Sequence, residues 1–381
     1  MGRQDNVEIF EDTQRMYTSN ERLISAIKYS SATQECFTGM GRHWYGPEHR
    51  IYQKPAQTVI SPKRTLEAAA PYVYAGKKVC VLNFASATNP GGGVIKGSSA
   101  QEEAICRCST LYPNLKEQRM WNQFYAPHRR AHDPLHNDDC IYTPGVMVFK
   151  SDTDYPQLLP EDKWYSVNVM TCAAPNLRER PSNEMNAGDG DAAVHISRED
   201  LQALHEKRMR RVLEIAWAKG NEVVILGAFG CGAFRNPPAV VAQAMKTIVQ
   251  EYRMRFETIE FAVYCGAQYD TNYRVFQQVI ADTRSTSRST STLLRTSRGS
   301  DTSACKTVGH RTSIFKNNET ARIGGCRPCA CKIRLLTDFF RSLQEIKKKS
   351  TILQTKYSAF LVENTGIEPV TSCMPCKRSP S

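Results

Sequence analysis

Two short apolar runs, Lys78–Ala85 (KVCVLNFA) and Glu222–Ala228 (EVVILGA), each run into a glycine-rich loop. The first loop reads Asn89-Pro-Gly91-Gly92-Gly93-Val-Ile-Lys-Gly97. The second reads Gly227-Ala-Phe229-Gly230-Cys231-Gly232-Ala233-Phe234-Arg-Asn236-Pro. The runs are β-branched, apolar and too short for helices, so they read as buried strands. Glycines after such a strand and before a helix let backbone approach a ligand closely, and the exposed N–H groups there favour phosphate. Neither loop has the G-x-x-x-x-G-K-[ST] pattern of a P-loop or the G-x-G-x-x-G spacing of the dinucleotide fold. The bland alternative is a pair of tight turns that need glycine.

Further strands are expected at Tyr142–Phe149, Trp164–Met170 and Thr258–Tyr264, and helices at Arg198–Lys219 and Pro237–Arg255. This alternation argues an α/β domain with a largely parallel sheet. Residues 1–75 read as a polar, helical N-terminal extension packed on a core spanning 76–283, and 284–381 read as a basic tail of low order. The tail carries 18 Lys+Arg against 6 Asp+Glu, whereas the preceding residues carry 32 of each. The excess of +12 therefore lies wholly in the last quarter, and the neutral body has no electrostatic reason to bind nucleic acid non-specifically. With 41% hydrophobic and 23% charged residues, the composition excludes collagen and disorder over the whole chain. No apolar run approaches the ~18–20 residues that cross a bilayer. The polar, acidic start does not read as a secretory signal, so the 14 cysteines are expected as reduced thiols in a cytoplasmic protein.

Between the first loop and the next strand comes Ser99-Ala-Gln101-Glu102-Glu103, read as a capping box with Ser99 at the N-cap and Glu102 at N3. Glu103 is then the carboxylate with less structural need. Consecutive residues do not share a helix face, so the two acids are not expected to flank one bond as paired glycosidase carboxylates do. One would do chemistry, and the other would hold substrate or the helix start.

Gly91–Gly93, seven residues, then Gln101–Glu102–Glu103 resembles the GGG-x7-QEE signature of poly(ADP-ribose) glycohydrolases, in the microbial-type branch. The strings IYTPGVMVF, VNVMTCAAPNLR and VVILGAFGCGAFRNPP follow in the same order, so that the likeness spans roughly 65–278. The resemblance implies a macrodomain-like, three-layer α/β/α fold with a mixed sheet and ADP-ribose in a cleft at the strand ends. It implies hydrolysis of the ribose–ribose O-glycosidic bonds of poly(ADP-ribose), with Glu103 as general acid/base, Glu102 on ribose hydroxyls and Gln101 fixing the site. Asn89 and Gly91, Gly92 and Gly93 would flank the diphosphate on one side. Gly230, Cys231, Gly232, Ala233 and Phe234 would flank it on the other, with the Phe234 ring orienting the distal ribose. No metal or organic cofactor is implied, and the partners are poly(ADP-ribose) or ADP-ribosylated proteins. A non-catalytic ADP-ribose reader, or a hydrolase of mono-ADP-ribosyl conjugates, would share the glycine loops; the intact Glu103 favours the polymer hydrolase.

Other signals are weaker. His128, His132 and His136 are spaced as metal ligands could be, but Pro127 and Pro134 argue a polar loop. His195 and His205 read as surface or capping groups, Cys231 as a small buried residue at a turn, and Asn183–Asp191 as calcium-like in composition only. Cys326, Cys329 and Cys331 with Cys373 and Cys376 imitate a zinc site in a segment without core signals, and Lys347–Lys349 reads as a solvated end of a helix over Leu335–Ile346. The last segment, NTGIEPVTSCMPCKRSPS, resembles translated non-coding sequence trailing a gene.

Overall fold

The computed structural model describes residues 2–39, 51–184, 186–266 and 270–281. All belong to the first of two compact units, residues 1–300. The cysteine cluster, the lysine run and the helix expected near the C-terminus lie outside the described residues.

Seven strands form one mixed sheet among the described residues: β1 (Glu35–Phe37), β2 (Gln57–Ser61), β3 (Val79–Ala85), β4 (Cys140–Val148), β5 (Tyr165–Ala173), β6 (Val223–Leu226) and β7 (Thr258–Ala262). Their order is β1-β4-β5-β3-β6-β7-β2. β4 is antiparallel to β1 and β5, while β5, β3, β6, β7 and β2 run parallel. The expected strands fall on β3 to β7, within three residues at each end.

The two-residue period of β3 explains the layering. Val79 and Val81 face one cluster, with Phe10, Leu66, Ile105, Leu111 and Phe124. Cys80 and Leu82 face the other, with Met209, Leu213, Val241, Met245 and Phe276. Each such side chain contributes about 1.5–3 kcal/mol on burial, so a one-residue slip, which would exchange the faces, is strongly disfavoured. The first layer holds α1 (Arg3–Ser19), α2 (Glu21–Thr33), α3 (Thr65–Tyr74) and α4 (Gln101–Cys108), then the short α5 (Leu111–Leu115), α6 (Gln118–Met120) and α7 (Ala126–Ala131). The second holds α8 (Arg198–Ala218), α9 (Pro238–Tyr252) and α10 (Thr271–Ala281).

Residues 1–75, read from sequence as a helical extension, begin helically but then supply β1, β2 and α3 to the sheet layers. The three-residue β1 carries too few positions for a period. The β-branched Thr58-Val59-Ile60 of β2 was a strand signal, and pairing with β7 uses it. α1 also braces the first glycine loop and α4. Asn6 donates to the Gly97 carbonyl (3.0 Å), Thr13 donates to that of Arg107 (2.6 Å), and the Phe10 ring meets Tyr112 edge-on.

β3 lies between β5 and β6. The chain leaves β3 into α4 on one face and leaves β6 into α9 on the other. A crevice therefore opens at the carboxyl ends of β3 and β6, where open α/β sheets take ligands.

Candidate active site

Ala100, not Ser99, is the N-cap of α4, and no side chain caps it. The acid assigned to the capping box is engaged elsewhere. Glu102 accepts from the Ser86 backbone N–H (2.8 Å) and from the Asn83 amide (3.2 Å), both at the end of β3. Gln101 is spent on the same strand. Its Oε1 accepts from Phe84 N–H (2.8 Å), and its Nε2 donates to the Leu82 carbonyl (2.7 Å) and to Thr65 (2.9 Å). Tertiary donors at β3 thus override the local cap.

Glu103 follows as a buried carboxyl. Its Oε1 accepts from Gly93 N–H (2.8 Å), and its Oε2 has no hydrogen-bond partner. Both carboxyls converge on Gly92: a methyl group placed there would stand 2.5 Å from Glu103 Oε1 and 3.1 Å from Glu102 Oε2. A helix start with a strand end opposite it lets i and i+1 both approach one loop, Glu102 bonded to β3 and Glu103 to Gly93. Burial, and next the Glu103 carboxyl, push Glu102 well above the usual carboxylate range, against the lowering effect of the Ser86 and Asn83 donors.

These acids line a cavity of about 300 Å³. Its walls are Gly92 and Gly93 of the first loop, Gly230, Gly232, Ala233 and Phe234 of the second, and Ala174 and Arg178 after β5; Val263, Tyr264 and Asn272 also line it. Three residues expected at the site are not on these walls. Gly91 turns toward Tyr112, Cys231 packs against the core with its thiol pushed up by burial, and Asn89 is tied to Arg129 (2.6 Å) and to the Ala187 carbonyl (2.9 Å). In the second loop Gly230 has φ +77°, with Ala174 and Asn236 where a methyl would go. The Asn236 amide donates to the Pro175 and Gly230 carbonyls, tying the β5 and β6 loops together.

Residues 4–151 match the family model "Microbial-type PARG, catalytic domain", PARG being poly(ADP-ribose) glycohydrolase. Over those residues the chain is similar to that family. The structural likeness reaches further. A PARG from Thermomonospora curvata bound to the inhibitor ADP-HPD is 28% identical with a TM-score of 0.58; the match covers 72% of this chain and 99% of that one. A PARG from Deinococcus radiodurans in complex with ADP-ribose is 29% identical with a TM-score of 0.54, over 68% of this chain and 97% of that one. No curated protein matches the chain.

The loop Asn183–Asp191 has a role that its composition did not reveal. Asp189 accepts from Asn176 (2.7 Å), Asn186 (2.6 Å) and Thr88 (3.2 Å), and pairs with His136 at 3.1 Å. Asn186 accepts from Ser86 (2.5 Å). Burial pushes the Asp189 carboxyl up, but His136 and the two amides outweigh it and hold the group below its ordinary value. The loop is thereby moored to the first glycine loop. The histidines expected in a polar loop do not share a centre. His128 lies buried in α7, bonded to Phe124 and Asn137; His132 ends α7 with φ +49°; His136 faces Asp189. Among the described residues no group of three or more His, Cys, Asp and Glu is placed to hold a metal ion. His205, expected at the surface, is fully buried in α8 against Asn236 (2.9 Å), whereas His195 is exposed. Arg178 and Tyr264 were missed because their distances from the glycine loops in sequence carry no period; only strand order brings them to the cleft.

Proposed function

We propose that the protein hydrolyses the ribose–ribose O-glycosidic bonds of poly(ADP-ribose), releasing ADP-ribose, with Glu103 as general acid and base. The observation that carries this reading is the Glu103 carboxyl: buried, lining the cleft, fixed at Oε1 by one backbone N–H and left bare at Oε2. The PARGs bound to ADP-HPD and to ADP-ribose support the ligand class.

Burial, and next the neighbouring Glu103 carboxyl, hold Glu102 toward its neutral form; general-acid catalysis asks for one proton at Glu103 Oε2. Glu103 Oε2 delivers it to the leaving 2′-oxygen as the ribose on the other side of the bond takes on oxocarbenium character at its anomeric carbon. The same oxygen then takes a proton from the attacking water, which adds to the ribose carbon and completes ADP-ribose. Glu102, held by Ser86 and Asn83, presents the rest of its carboxyl to ribose hydroxyls. Gly92 and Gly93 flank the diphosphate on one side and Gly230, Gly232 and Ala233 on the other, with Phe234 against the distal ribose. Gln101, on the cleft wall, fixes the α4–β3 angle and so the site. We assign the macrodomain class to the fold and the cytosol to the protein; the described cysteines are all unpaired, which suits a reducing compartment.

The test is product analysis on purified poly(ADP-ribose). Wild type should release ADP-ribose. Glu103→Gln should lose about 10²–10⁴-fold in rate, the usual worth of a positioned acid/base, while ADP-ribose titration shows retained binding. Wild-type turnover by Glu103→Gln overturns its role. Binding without product from either protein points to a reader, or to a hydrolase of mono-ADP-ribosyl linkages.

A further inference from the structure

The first glycine loop has a second side. Gly92 and Gly93, whose backbone walls the Glu103 cleft, also line a separate groove of about 580 Å³. That groove carries Lys96, Lys116 and Arg129 against one carboxylate residue, Glu184. It also carries two rings. Arg129 stands 5.1 Å from the Trp121 centroid, and Lys116 stands 5.4 Å from that of Tyr112. The family match and the Glu103 mechanism leave this arrangement unused. Cations set beside aromatic faces are the chemistry that holds strands of alternating phosphate and base, the charges tracking the backbone and the rings stacking bases.

We propose that this groove binds the leaving-side segment of the polymer: the adenosine and diphosphate that remain on the chain when the bond at Glu103 is cut. The proposal rests on the reading that the scissile bond lies at Glu103. A chain cut there departs beside Gly92 and Gly93, and those residues are shared by cleft and groove. The diphosphate meets Lys116 and Lys96, the latter also donating to the Glu184 carbonyl, and the adenine packs against the Trp121–Arg129 pair. Arg129 has a second duty, since it also bonds Asn89 and the Thr88 carbonyl, so the tests leave it intact.

The experiment compares long poly(ADP-ribose) with ADP-ribose as ligands. Lys116→Glu alters an exposed side chain, and Trp121→Ala removes the stacking face; each is made in the wild type and in Glu103→Gln. Expected is a KM for long polymer raised about tenfold, the usual worth of one stacked base or phosphate contact. ADP-ribose affinity should stay unchanged, and the salt dependence of polymer binding should flatten in Lys116→Glu. Unchanged polymer KM and polymer affinity in both variants overturn the groove, even where wild type turns polymer over. A wild type that releases no ADP-ribose instead overturns the reading of the cleft. Direct polymer binding in the Glu103→Gln background still decides the groove in that case, because it needs no turnover. A single-stranded DNA oligonucleotide that competes as well as polymer of equal charge would show a general polyanion surface and overturn the assignment to the leaving segment.

Discussion

Gly92 sits at φ +57° with two carboxyl oxygens where a side chain would begin. An L-residue there costs about 1–2 kcal/mol in backbone strain alone, and the methyl of Gly92→Ala would also displace Glu103 Oε1. The expected result is a melting point lower by about 5 °C and turnover lower by at least about a hundredfold, read by calorimetry and product release. A fully active Gly92→Ala enzyme would show that the loop does not set the carboxyl. Glu102 makes a prediction of sign. Its carboxyl is held above the unfolded value, so its contribution to stability is present below the ordinary carboxylate pKa and is lost as pH rises through the raised one. The melting temperature of wild type should therefore carry a component that falls as the solution is made less acid. That component should vanish in Glu102→Gln, and an identical pH profile in the two proteins would refute it.

At the scale of elements, α8 holds the crest together. Buried Arg208 donates to the carbonyls of Ala173 (3.0 Å) and Leu135, and His205 reaches Asn236 in the second glycine loop. The Asn236 amide is used on carbonyls, so its oxygen must accept from His205 Nε2–H, and Nδ1 remains the bare, basic nitrogen. Charging that nitrogen in a buried site is unfavourable, and burial lowers the imidazole from 6.5 to about 4. For a base lowered on folding, stability is present above the unfolded pKa and lost as pH falls through the folded one. The drop from 6.5 to about 4 corresponds to ~3 kcal/mol at neutral pH, lost between those two values. The depressed Asp189 carboxyl adds loss in the same direction. Urea unfolding across this range should show wild type losing stability steeply and His205→Gln less so; parallel curves would remove His205 as the source.

For the whole molecule, the net charge divides at about residue 283. The described residues hold the sheet, both helical layers and the cleft, and the chain up to 283 carries equal numbers of acids and bases. A chain ended there should fold with an unchanged melting point and full glycohydrolase activity. It should also lose the salt-sensitive, non-specific binding to DNA that a net +12 tail confers. Insolubility or inactivity of that truncation would show that the tail belongs to the fold. Shortening the other end should act differently: deletion of α1 removes the Asn6 and Thr13 bonds and Phe10 from behind α4, so activity should fall with stability.

Five strands, the two long helices and both glycine loops were legible because each is local. Alternation, apolar runs and glycines at strand ends act over a few residues and need no partner. The spacing from Gly91 to Glu103 was legible for the same reason, as one loop and one helix start. What the tertiary structure decided is everything that depends on which strand lies beside which. It placed β1 and β2 in the sheet, although their segment reads as a helical extension. It took Glu102 from its cap, because Ser86 and Asn83 donate from a strand end that the sequence puts 16 and 19 residues away. It turned Asn89, Gly91 and Cys231 off the cleft and brought Arg178 and Tyr264 onto it. It also gave the loop 183–191 a mooring that no calcium-like spacing announced. Composition and period report the free energy of a residue in its own neighbourhood. A site is assembled by contacts between neighbourhoods, and those are fixed only when the sheet order is.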